Sequence, residues 1–250
     1  MTINAQGGVG KIRLFNDFFG VADYLALTAD TAPLGDFFAG GEGFEDADAG
    51  IAYLQSDALS GVIKLTSGAT DKDTTAIMTD ICFDVGLMAP LVLEARVRFV
   101  DLTAKAAFIG FTSVATLDEQ MDDIIDYSAA TTVTLTATLA GFFLSSEFTD
   151  DEDWHGVYNG GTTTGQTATG SIDLDDDAVA GEWQVLRLEI DPNGDARWYI
   201  DGEWKQTVET AISTTTDLAA FCGVTENSGA DVAIMDVDYL LVEANRDWNA

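Results

Sequence analysis

Basic residues are scarce in this chain. Eleven Lys and Arg stand against 43 Asp and Glu over 250 residues, a formal net charge of −32. No cluster of Lys or Arg occurs anywhere, so a nucleic acid or an anionic membrane surface would be repelled, and both are excluded as partners. Histidine occurs once, as His155 in the acidic run Asp150-Asp151-Glu152-Asp153-Trp154-His155. A lone imidazole there reads as a surface-loop residue and not as the general base of a Ser-His-Asp or Cys-His set. Two distant cysteines, Cys82 and Cys222, with one histidine do not make a zinc site. Each lies in an apolar segment (Ile-Cys-Phe, Phe-Cys-Gly) and is expected to be a buried free thiol. No apolar run approaches the roughly 18 residues of a membrane span. The opening residues, Met1 to Gly10, have no basic region ahead of an apolar stretch, so Sec export is not expected. Gly7-Gly8-Val9-Gly10 lacks the Lys-Ser/Thr and preceding strand of a phosphate loop and reads as a flexible arm.

What is abundant is strand signal. Hydrophobic residues make up 47% of the chain and aromatics 10%, ample for a core built from sheets. Leu91 to Asp101 alternates with period two: Leu91, Leu93, Ala95, Val97 and Phe99 on one face, Glu94, Arg96 and Arg98 on the other. Lys105 to Ser113 follows after a short connection, which predicts a hairpin. Further strands are expected at Lys11 to Phe19, Ser60 to Thr66, Thr74 to Phe83, Thr131 to Leu144, Trp154 to Tyr158 and Gly165 to Leu174. Residues 21 to 59 read as a long surface loop, and Leu117 to Tyr127 as the one helix, with Leu117, Met121, Ile124 and Ile125 on its apolar side. Near the end, Trp183 to Asp191 places Leu186, Leu188 and Ile190 inward. Asp191-Pro192-Asn193-Gly194 supplies a turn, and Asp201-Gly202 is a type I′ hairpin signal. A last strand runs from Asp231 to Glu243. Many strands with one helix indicate an all-β antiparallel sandwich. Without repeat, linker or composition shift, residues 11–250 read as one domain preceded by an arm at residues 1–10.

Particular blocks carry a resemblance: Leu93 to Phe99, Ala107-Phe108-Ile109-Gly110-Phe111-Thr112, Trp183 to Asp191, Arg197-Trp198-Tyr199-Ile200-Asp201-Gly202 and Val237-Asp238-Tyr239-Leu240-Leu241-Val242. Together they resemble the concanavalin A-like, or laminin-G-like, jelly roll over roughly Phe15 to Arg246. The resemblance implies that a strand like Phe15-Asn16-Asp17-Phe18 lies beside the last strand. Domains with these blocks and little else are similar to those of tailed-phage virion proteins. That implies a non-enzymatic capsid decoration (cement) protein in the virion and, during assembly, the host cytoplasm. A major capsid or other virion protein would be its partner, and it would be a homo-oligomer. The alternative the resemblance implies is a carbohydrate-binding, lectin-like receptor-binding module.

The enzymes of this fold, the retaining glucanases, carry a Glu-x-Asp-x-x-Glu strand motif with two carboxylates about 5 Å apart. The nearest match here is Glu189-Ile190-Asp191-Pro192-Asn193-Gly194, where Gly194 replaces the third carboxylate and Pro192 breaks the strand. No catalytic residue is therefore assigned. Lectins of this fold often hold calcium, for which Asp150, Asp151, Glu152 and Asp153, or Asp173, Asp175, Asp176 and Asp177, could supply oxygens. Neither run has the spacing of a dedicated loop, and both are expected to be solvated without a bound cofactor. In the lectin-like alternative Trp154 and Trp204, with Tyr158 and Trp198, would form a sugar-stacking platform.

Overall fold

The computed structural model describes residues 10–18, 31–53, 61–128, 132–149, 151–163, 172–227 and 231–247. The proposed arm at residues 1–10 lies outside them except for Gly10. In chain order the strands and helical turns begin with β1 (Lys11–Asn16), β2 (Thr31–Leu34), β3 (Phe37–Gly40), β4 (Gly50–Tyr53), β5 (Ile63–Thr66), β6 (Thr74–Met78) and β7 (Phe83–Asp84). After α1 (Val85–Met88) come β8 (Leu91–Phe99) and β9 (Lys105–Thr112). Then follow α2 (Met121–Ile124), β10 (Ile125–Ser128), β11 (Thr132–Leu135), β12 (Leu139–Ser145), β13 (Asp153–Asn159) and β14 (Asp173–Asp177). The series closes with β15 (Gln184–Ile190), β16 (Ala196–Ile200), β17 (Glu203–Val208), β18 (Asp217–Glu226) and β19 (Ile234–Asn245).

Two antiparallel sheets face one another. The first runs β17-β16-β15-β8-β19-β5-β4, with β1 also on β19; the second runs β14-β13-β12-β9-β18-β6-β3-β2. Period-two alternation builds the core between them. From the first sheet come Leu93, Ala95 and Val97 of β8 and Leu186, Leu188 and Ile190 of β15. The second contributes Ala107, Ile109 and Phe111 of β9 and Ala220, Cys222 and Val224 of β18. The opposite face of β8 and β15 is polar and neutralised in pairs: Arg96–Asp238 at 2.6 Å, Arg98–Asp236 at 2.5 Å, Arg187–Glu94 at 2.9 Å. Both Arg96 and Arg98 stack on Trp183. Pairing of β1 with β19, Leu14 opposite Val242, bears out the expected neighbour of the last strand.

A second apolar layer covers the outer face of the second sheet. Met121, Ile124, Ile125, Val133 and Ala137, from the segment between β9 and β12, pack on Phe108, Phe143, Val157 and Phe221. The sheet admits this layer where Gly110 and Gly141 face each other across β9 and β12. A Cβ on Gly141 would meet the Phe108 ring at 2.4 Å and the Ile109 carbonyl oxygen at 2.7 Å.

Several expectations are corrected. The predicted helix over 117–127 shrinks to the single turn α2, and Ile125 already belongs to a strand that pairs with β11. Five carboxylates between 118 and 126 repel along a helix, whereas the β-branched pair Ile124-Ile125 suits a ladder. Met121, Ile124 and Ile125 are buried as expected, whereas Leu117 is exposed. β8 and β9 form no hairpin: β8 pairs with β15 and β19, β9 with β12 and β18, so residues 100–104 cross between sheets. The stretch 131–144 divides into β11 and β12, because Asn159 Nδ2 donates to the carbonyls of Leu135 and Ala137 and holds the break. Within 21–59 the structure has β2, β3 and β4, too short to show a period. Cys222 is a buried free thiol as expected; Cys82 is exposed, in the bend between β6 and β7. The turns behave as read: Asp201 and Gly202 have φ of 51° and 82°, and Gly194 N–H donates to the Asp191 carbonyl at 3.0 Å.

Candidate functional site

Three connections converge at one end of the sandwich: 100–104 between β8 and β9, 146–152 between β12 and β13, and 178–183 between β14 and β15. They enclose an open cleft of about 570 Å³ whose polar lining is Asp101, Thr103, Ser146, Asp151 and Glu152, with Ala178 to Ala180 as an apolar wall. The connections are tied to each other by main-chain bonds. Ser146 N–H donates to the Lys105 carbonyl at 2.9 Å, Ala178 N–H to the Glu152 carbonyl at 2.7 Å, and Gly181 N–H to the Phe99 carbonyl at 2.8 Å. Ser146 Oγ in turn accepts from Lys105 N–H at 3.0 Å and from Asn227 Nδ2 at 3.1 Å.

Asp101 is the best-held carboxylate of the cleft. Its Oδ1 accepts from the N–H and the Oγ1 of Thr103, each at 3.1 Å, and lies 2.9 Å from Lys105 Nζ. Lys105 is wholly buried on β9, in line with Ala107, Ile109 and Phe111, and its ammonium is buried as well, next to Asp101. Burial lowers the lysine and Asp101 pulls the other way, leaving it below its ordinary value. Burial raises the Asp101 carboxyl, but the donors of Lys105 and Thr103 outweigh it and hold it below the ordinary aspartate range. Asp151 and Glu152 are exposed.

The residues singled out in the sequence are scattered. Asp151 and Glu152 line the cleft, Asp153 opens β13 opposite Asp177, and Asp150 lies outside the described residues. No group of three or more metal-type ligands forms among the described residues. The Asp173 to Asp177 run is split by strand alternation: Asp173 caps its own turn, accepting from Asp175 N–H, while Asp176 pairs with Lys205 at 2.8 Å.

Trp154 is the clearest correction. It has no exposed surface, lies against Phe99 and Phe142, and donates Nε1–H to Gln184 Oε1 at 2.9 Å. Trp198 is buried too, donating to the Gly141 carbonyl, with Tyr158 beside it. The four-ring platform therefore reduces to Trp204, 56% exposed on the edge strand β17 and away from the cleft lining. His155 is not a surface-loop residue: it is buried in β13, edge-on to Phe148 at 5.0 Å. Glu189 pairs with Arg187 at 2.7 Å and Asp191 with Arg197 at 3.1 Å, on the outer face of the first sheet.

Sequence reading missed Asp101 and Lys105. The signal was present: a lysine in register with Ala107, Ile109 and Phe111 must be buried or must end the strand beside an acid.

No protein-family model matches the chain, and no curated protein matches it in sequence. Solved structures do share its fold. A protein of unknown function from Shewanella oneidensis MR-1 superposes with a TM-score of 0.58 at 12% identity, covering 100% of this chain and 92% of that one. The Bacillus licheniformis β-glucanase gives 0.52 at 13% identity, covering 91% and 99%. The Emp47p carbohydrate recognition domain gives 0.55 at 8% identity, covering 90% and 94%. These neighbours are an enzyme, a lectin domain and a protein of unknown function, and the expectation of a capsid decoration protein is not borne out by them. What is shared is the architecture, an all-β antiparallel jelly-roll sandwich of concanavalin A-like type.

Proposed function

We propose that this chain is a carbohydrate-binding domain that holds its ligand without cleaving it. The observation that carries this reading is the open cleft at the end of the sandwich, lined by Asp101, Thr103, Ser146, Asp151 and Glu152. Carboxylate and hydroxyl oxygens on a partly apolar wall suit a polyol, whose hydroxyl groups donate to the first and exchange hydrogen bonds with the second. The fold is compatible with that chemistry, as the β-glucanase and the carbohydrate recognition domain illustrate. Binding without turnover is supported by the state of Glu189 and Asp191. Each is engaged by a guanidinium, and Pro192 ends the strand between them and the position that a third carboxylate would fill.

Titration calorimetry with a panel of neutral oligosaccharides tests the reading. Asp101→Asn and Glu152→Gln should each weaken binding about tenfold, equivalent to about 1.4 kcal/mol, and chelation by EDTA should leave binding unchanged. No saturable binding by the folded protein, or release of reducing ends from a β-glucan, would overturn it.

A further inference from the structure

Asp101 and Lys105 give the cleft a selectivity that its shape does not. An ammonium carries three N–H donors, and the acceptor placed beside Lys105 Nζ among the described residues is Asp101 Oδ1, at 2.9 Å. The lysine has no exposed surface, whereas Asp101 is 54% exposed on the cleft wall. Lys105 therefore reaches a ligand through Asp101, anchoring Oδ1 of a carboxylate that lines the cleft. Its charge cancels that of Asp101. Asp151 and Glu152, on the 146–152 connection, bring two further negative charges and form no ion pair among the described residues. The 178–180 wall is uncharged, and Glu226, opposite Lys105 in the β9–β18 register, is buried. The cleft thus has net negative charge in a molecule of net charge −32.

Resting on the carbohydrate reading above, we propose that the cleft takes neutral, hydroxyl-rich glycans and rejects uronates, with Lys105 as a positioning residue that fixes the Asp101 carboxylate against sugar hydroxyls. A carboxylate accepts from a pair of hydroxyls but repels a second carboxylate across a few ångströms, and among the described residues lining the cleft no cation relieves that repulsion. Burial works against an ionised Asp101 and the Lys105 and Thr103 donors work for it, so the hydroxyl-accepting state persists to lower pH than for an unassisted aspartate.

The test uses the full chain with laminarihexaose and cellohexaose as neutral probes and hexagalacturonate as the anionic one, each titrated from acidic to neutral pH. A neutral probe should bind at least tenfold tighter than the uronate, and its affinity should fall on acidification with a midpoint below the ordinary aspartate value. In Lys105→Met that midpoint should move up. Thr103→Ala, which leaves the buried lysine in place, should move it the same way by less; the two variants guard against misfolding of either one. Hexagalacturonate binding as tightly as the neutral probes, or a midpoint unmoved in both folded variants, would overturn this selectivity and leave the carbohydrate reading intact. Failure of all three probes to bind would sink both.

Discussion

Burial decides what each tryptophan of this chain can do. Trp154 fills the space between Phe99 and Phe142 with its one polar atom satisfied by Gln184, so truncation would leave a cavity and take the donor from Gln184 Oε1. Trp154→Ala should cost about 3–5 kcal/mol in chemical denaturation. Trp204 lies on an edge strand and bonds a neighbouring threonine, Thr207, on the same strand. Trp204→Ala should change stability by less than about 0.5 kcal/mol. Equal losses in the two variants would contradict this assignment. From sequence the two were indistinguishable, each preceded by an acidic residue in a strand-like segment. What separates them is which sheet lies over each ring, and a single strand's pattern does not carry that. Burial likewise pushes the Cys222 thiol up to about 12, whereas Cys82 is exposed, its thiol raised by partial desolvation and by the nearby charge of Asp80.

The elements that were legible are those whose partners are near in sequence or whose alternation is long. β8, β15 and the β16–β17 hairpin follow from period two and from Asp201-Gly202, because local sterics and one buried face suffice to define them. The cleft was not legible, since it depends on 100–104 crossing between sheets, where hairpin and crossover have the same length. Nor was the second apolar layer, which exists because strands far away in sequence on either side offer Met78 and Phe221 to it.

That layer carries a further prediction. Along its edge burial raises the Glu119 carboxyl, whose Oε2 accepts from Thr116 N–H and Oγ1 and which faces Asp123. Burial and a hydrogen bond with Asp118 raise Glu42, which also faces Asp73 and Glu45, and burial raises Asp73 beside Asp46 and Asp48. A carboxyl raised in the folded state favours folding when protonated. Its contribution is full below the ordinary glutamate value of 4.5 and is lost as pH climbs through the raised one. Amide exchange in the described parts of 113–138, corrected for intrinsic rate, should therefore show more protection at about pH 5 than at about pH 8. Protection that grows with pH would contradict this.

At the scale of the whole molecule, charge of one sign opposes compaction. Among the described residues, eight of the eleven basic side chains form ion pairs with carboxylates, yet 43 acids leave a large uncompensated excess. Self-repulsion at that density should outweigh the little that exposed pairs contribute. Raising NaCl from about 0.05 to about 1 M shrinks the Debye length from more than 10 Å to about 3 Å. The thermal midpoint should then rise, by about 2–4 °C for each kcal/mol of repulsion removed from a domain of this size. A midpoint that falls with salt would mean that the ion pairs, not the repulsion, dominate.

The pairing of β1 with β19 reaches beyond the sheet it completes. Lys11 stands opposite Asn245, and Arg246 N–H donates to the Gly10 carbonyl at 3.0 Å, so the polypeptide enters and leaves the sandwich at one corner. Antiparallel neighbours are only about 5 Å apart at Cα. A host protein could therefore carry this unit as an outgrowth of a single surface loop without its own framework being stretched. Pulling on such a host would load β1 against β19 first, peeling that ladder apart from its end while the cleft at the 100–104 crossover stayed intact.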